Sequence, residues 1–171
     1  RTRAGRLSLE DMFRKPMTDA SEINKRSEVF RYYKKLDRKF PFDESQIELI
    51  EYYINSNTAT DAFSSAFGIF IGKCKMVLAN DKTYEKMLEG MGVLAEVILK
   101  SAELVESFPK EGCPDGADIE SFTSVLTPDC RNTLRVIAEK NTDMGLALAI
   151  KADKLLRLTL GDAVSTLMPL L

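Results

Sequence analysis

The run KTYEKMLEGMGVLAEVILKSAELVES, residues 82–107, decides the fold class. Tyr84, Leu88, Met91, Ala95, Ile98, Ala102 and Val105 recur at alternating intervals of four and three. That spacing keeps one apolar seam facing a neighbour through seven helical turns. A helix over this run is a rod of roughly 38 Å. Gly90 and Gly92 interrupt it, and since glycine lowers helix stability, a local kink or a close crossing by another helix is expected there.

The flanking segments read in the same way. On the N-terminal side, Asn80-Asp81 is a turn, and a helix is expected from about Ala59 or Thr60 to Ala79. Its Phe63, Phe67, Phe70, Ile71 and Cys74 predict an aromatic stripe turned into the core, with Cys74 as a small core residue. Further back, Asp43 caps another helix with Gln46 in support, Ile47, Ile50 and Ile54 on its buried side, and Asn55-Ser56-Asn57 as its stop. Phe40-Pro41-Phe42 breaks the chain before it. On the C-terminal side, residues 108–117 hold Pro109, Gly112, Pro114 and Gly116, and predict an exposed loop. A short helix from Asp118 to Leu126 follows, and Thr127-Pro128 starts the next, with a hydroxyl cap and proline in the first turn. Asn141 or Thr142 is expected to open a last helix through Leu148, Ala152, Leu155 and Leu158, with a break at Gly161-Asp162. No segment alternates like a strand. The expectation is one all-α domain over residues 1–171, an irregular bundle of six to eight helices with at least one long antiparallel pair.

The first forty residues carry the functional signal. Leu9 and Phe13 lie one turn apart on a first helix that Thr2 can cap and Pro16 ends. Asp19 is placed as the N-cap of a second helix, to about Arg38, with Glu22 completing a capping box. Ile23, Phe30 and Tyr33, with Val29 and Leu36, give that helix an apolar side. Taken alone, this describes any helix pair in a core. The joint offsets of Thr2, Gly5, Leu9, Phe13, Pro16, Met17, Asp19, Ile23 and Arg26 say more: they resemble the opening of the helical core, or lever, domain of MutS-family DNA mismatch-repair proteins. The resemblance covers residues 2 to about 36. Leu7 and Met12 stand where many members carry Arg and Trp, so the chain is similar to a divergent branch; branches associated with recombination control belong to the same family. The resemblance implies a non-catalytic lever, cut from a longer protein, that couples a C-terminal ATPase domain, with its ATP and magnesium, to DNA. The implied partners are the rest of the parent chain, DNA held indirectly or weakly, and a second copy of the parent. The alternative is a helical protein-binding module unrelated to DNA repair.

Charge is uneven although the net value is only -2. Residues 1–40 hold 12 Lys and Arg against 6 Asp and Glu, and the remainder 12 against 20. Arg3, Arg6, Arg14, Lys15, Lys25, Arg31, Lys34 and Lys35 are therefore a candidate weak DNA-facing patch, set against the plainer reading of a solvated helix face. The chain has no histidine, which removes the commonest general base and metal ligand. Glu48 with Glu51, and Glu103 with Glu106, read as solvated faces, since helical di-metal sites usually add a histidine. Gly68 to Cys74 imitates a phosphate loop but has three residues between its glycines and a cysteine for the hydroxyl; two glycines one turn apart, letting another helix approach, fit better. Cys74, Cys113 and Cys130 lack metal spacing, and with no signal peptide or membrane-length apolar run the expected setting is the cytoplasm. No cofactor or catalytic residue is expected in this chain.

Overall fold

A computed structural model of the chain describes residues 3–36, 42–56, 62–79, 81–109, 124–159 and 161. The described residues are helical with no strand. They form α1 (Arg3–Arg14), α2 (Ala20–Leu36), α3 (Glu44–Ser56), α4 (Ala62–Ala79), α5 (Thr83–Glu106), α6 (Pro128–Lys140), a 3₁₀ turn (Asn141–Asp143) and α7 (Leu146–Asp153). The last passes directly into a π-helical stretch, Lys154–Thr159.

Helix boundaries follow local chemistry. Asp43 Oδ1 accepts from the Gln46 N–H at 2.9 Å while Gln46 Oε1 accepts from the Asp43 N–H at 3.1 Å, a complete capping box at the start of α3. The Asp43 carboxyl sits below its usual range because the Ser45 hydroxyl and the Gln46 N–H bond its charged form. Asp81 Oδ1 accepts from the Thr83 N–H at 2.9 Å as α5 begins. Thr127 Oγ1 accepts from the Cys130 N–H, with Pro128 in the first turn of α6. Asn141 does not open the last helix. It ends α6 at a positive φ of 43°, a conformation asparagine tolerates, and α7 starts five residues later.

The core is centred on α5. Its seam is buried as the spacing predicts, from Tyr84 through Ala102, with Val105 half-buried, but Met87, Leu94, Val97 and Ser101 are buried as well. A helix buried over so broad an arc has neighbours on several sides: α3, α4, α6, α7 and the 3₁₀ turn all pack on it. The two glycines mark close crossings. A Cβ at Gly90 would stand 2.6 Å from the Leu49 carbonyl oxygen and 2.7 Å from Tyr53 Cβ, both on α3. One at Gly92 would stand 2.8 Å from Asn141 Oδ1.

Two expectations about α4 are corrected. The aromatic stripe of α4 is not its buried face: Phe67, Phe70, Val77 and Leu78 are exposed, Ile71 and Cys74 are half-buried, and Ser65 and Ile69 point inward. Small and polar groups occupy the inner face because Ser65 joins a buried polar cluster and Gly72 lies against Tyr84. Gly68, in contrast, is exposed. On α7 and the stretch after it Ala149, Ala152, Asp153 and Leu156 are buried; of the residues the sequence singled out there, Ala152 is fully buried and Leu148 and Leu155 are half-buried against the core, while Asp153 adds a buried charge that no apolar pattern can reveal. The side chains of Phe63, Tyr33 and Leu158, together with Thr2, Phe40, Pro41, Cys113 and residues 118–123, lie outside the described residues, as does most of the 108–117 loop.

Candidate functional site

The opening pair, α1 and α2, is built locally as its sequence dictates. α1 ends before Pro16, and Asp19 Oδ1 accepts from the Ser21 N–H at 2.7 Å, capping α2. The bond goes to the Ser21 N–H and not to that of Glu22, and Glu22 makes no return bond among the described residues, so Asp19 is a simple N-cap in place of the expected capping box. Neither helix packs extensively on another among the described residues. One tie to the bundle is the Tyr32 hydroxyl, which donates to the Pro109 carbonyl at 2.7 Å.

The motif residues therefore face outward. Leu9 is 52% exposed, Phe13 80%, Ile23 43% and, beside them on α2, Phe30 57%. These side chains do not support the domain's own core. Met17 and Arg26 are half-buried and, with Ile23, Ser27 and Phe30, line a shallow groove of about 220 Å³. Gly5 lies within α1, Pro16 is exposed just past its end, and the side chain of Arg3 lies outside those described.

The basic patch is not drawn together into one site. Arg6 pairs with Glu10 at 3.9 Å and Lys15 with Asp11 at 3.1 Å, both exposed i,i+4 pairs that contribute little but neutralise locally. Arg14, Lys25, Arg31, Lys34 and Lys35 are exposed. At about 100° per residue, Lys25 and Lys34 stand on opposite sides of α2, and only Arg31 has Lys34 and Lys35 within a turn of it, three and four residues on.

A second constellation, invisible in the sequence, lies inside the bundle. Asp153 on α7 is 2% exposed, and its carboxylate accepts from the Tyr53 hydroxyl of α3 at 2.8 Å, from the Ser65 hydroxyl of α4, and from Arg157 Nε at 2.8 Å. Arg157 continues to the last turn of α3, donating to the carbonyls of Ile54 at 3.0 Å and Tyr53 at 2.5 Å. Its guanidinium stands 4.4 Å from the Tyr53 ring centroid. Burial first, and then the Asp153 charge, push the Tyr53 hydroxyl far above its ordinary range, so it remains a proton donor. The cluster ties α3, α4 and α7 together and satisfies carbonyls that the end of α3 leaves open. With every member engaged and Tyr53, Ser65 and Asp153 buried, it is a structural joint. The i,i+4 spacing of Asp153 and Arg157 is the one sequence signal that pointed to it.

Between α4, α5 and the 3₁₀ turn lies a cavity of about 440 Å³ lined by Lys73, Tyr84, Glu85, Asp143 and Met144 among others. The Tyr84 hydroxyl is buried without a hydrogen-bond partner among the described residues, and burial raises its pKa. The carboxylate pairs are dispersed: Glu106 engages Arg131 of α6, and no group of three metal-ligating side chains occurs among the described residues. No helix is long and apolar enough to cross a membrane among the described residues. Comparison with protein-family models, with curated proteins and with solved structures finds no match to this chain.

Proposed function

We propose that this chain is a non-catalytic lever-type domain of a MutS-like DNA-repair ATPase, joining a C-terminal ATPase domain to the part of the parent that holds DNA. The observation that carries this reading is the set of joint offsets from Gly5 through Leu9, Phe13, Pro16, Met17 and Asp19 to Ile23 and Arg26. Its support is that Leu9, Phe13 and Ile23 are large apolar residues that leave this domain's core untouched. Residues in such positions are explained by contact with something outside the domain. The α5-centred body is cross-braced by the Asp153 cluster, as a lever would need to be. ATP and magnesium belong to the parent's ATPase domain in this reading, DNA contact by this chain is weak, and the setting is cytoplasmic.

The test is made on the full-length gene product. Its ATP turnover should respond to duplex DNA, and Leu9→Ser with Phe13→Ser should weaken that response while leaving the unfolding midpoint of the 171-residue chain unchanged. A full-length product that lacks ATP hydrolysis removes the reading. The second reading, a protein-binding module unrelated to repair, is favoured by the exposed Phe67, Phe70, Val77 and Leu78 of α4. It predicts that substitutions on α4, and not on α1, abolish partner capture.

A further inference from the structure

The face of α2 that holds Ile23, Arg26, Ser27, Phe30 and Lys34 follows the i, i+3, i+4, i+7, i+11 spacing of one side of a helix. Met17, in the link before α2, joins Ile23, Arg26, Ser27 and Phe30 to line the groove of about 220 Å³. Tyr32, which ties α2 to the body, stands about 160–180° round the helix from Ile23 and Phe30. The groove is thus turned away from the bundle.

Its chemistry is one-sided. Arg26 and Lys34 are two cations on this face; Glu28 stands about 160° round from Phe30, and Glu22, about 80° from Phe30, precedes Arg26 by one turn. Arg26 is half-buried among apolar neighbours and has no ion pair, with Glu22 or any other carboxylate, among the described residues. A neutral apolar partner laid over this groove would desolvate Arg26 and leave only Glu22, at the edge of the face, to balance it and nothing to balance Lys34. A nucleic-acid backbone would match the cations but leave Ile23 and Phe30 uncovered. Two copies of this arm would repel, since residues 1–40 hold twice as many basic as acidic side chains.

We propose that this groove docks an acidic amphipathic helix of a partner protein. One apolar side chain seats between Ile23 and Phe30, and carboxylates one turn to either side pair with Arg26 and Lys34. This deepens the reading of α1 and α2 as a joint exposed for contact and does not require the MutS resemblance.

The probe is a fluorescein-labelled peptide of about 16 residues, with Leu and Phe along one side and Glu along both flanks. Its anisotropy is titrated with the full 171-residue chain. Binding is expected to weaken about tenfold or more for Ile23→Asp and for Arg26→Glu, and a peptide with Lys in place of Glu should recover binding to R26E. Both positions are solvent-accessible enough that the variants keep the parent's circular dichroism, which is checked first. Equal binding of a scrambled peptide, or indifference to I23D, overturns the proposal. So does a duplex DNA that displaces the peptide and is sensitive to R26E but not to I23D, which gives the face to a polyanion. Peptide binding alongside a full-length product without ATP hydrolysis would leave the groove standing and remove the MutS-like reading; coupling without peptide binding would do the reverse.

Discussion

Asp153→Ala is the substitution that most directly tests the interior. It deletes the acceptor shared by Tyr53, Ser65 and Arg157. Tyr53 is fully buried, so its hydroxyl loses its acceptor with no water to replace it, at about 1–3 kcal/mol, and the buried Ser65 loses its bond to the same carboxylate. Arg157 fares better. Its side chain is 16% exposed and keeps the two α3 carbonyls. The sum falls at about 3–5 kcal/mol, the range for removing one partner of a buried ion pair. That is a large part of the roughly 5–15 kcal/mol that holds a domain folded. The assay is urea unfolding followed by far-ultraviolet circular dichroism, with the midpoint shift read at constant slope. A Tyr53→Phe, Ser65→Ala background supplies the control, because there the hydroxyls that bond Asp153 are already gone, and the added loss should drop by about half or more. A loss under about 1 kcal/mol, or the same loss in both backgrounds, would refute the cluster as the link between α3, α4 and α7.

Gly90→Ala should destabilise by about 1–3 kcal/mol, because the Leu49 backbone oxygen at the crossing cannot turn aside, whereas Gly145→Ala, with nothing near its Cβ, should cost only about 0.5 kcal/mol, the loss of a glycine N-cap at the start of α7; thermal midpoints compare the two. Asp19→Ala should cost about 0.5–2 kcal/mol of α2 stability, and since α2 is sparsely attached, the change belongs in the hydrogen exchange of α2 amides more than in the global midpoint; unchanged exchange counts against the cap. Tyr53 also predicts an alkaline limit. Its folded pKa is raised, so its contribution is present in full below the unfolded value near pH 10 and is lost as pH rises from there towards the folded one, by about 1.4 kcal/mol per pH unit. The unfolded state then holds fewer protons than the native one, which is the sign required for loss, and Tyr53→Phe should flatten this part of the stability profile.

Much of this protein was determined by sequence alone, wherever the deciding force acts within a turn or two. The caps at Asp19, Asp43 and Thr127 are bonds between residues two or three apart, and the α5 seam is a repeat along one helix. The glycines of α5 announced close crossings because few other reasons keep glycine in a buried helix. Tertiary structure decided which side of each apolar helix turns inward. α4 is apolar nearly all round, so periodicity left its inner face open, and the Ser65 bond to Asp153 and the fit of Gly72 against Tyr84 chose the side without the aromatics. On the opening pair the pattern read as a core face, yet Leu9, Phe13, Ile23 and Phe30 are exposed, since an amphipathic stripe records that a face is to be covered and not by what. The Asp153 cluster lay furthest from the sequence's reach. Tyr53, Ser65 and Asp153 stand 88 and 100 positions apart along the chain in their pairings, and only packing three helices at one point brings such groups within bonding distance and makes an unpaired one costly.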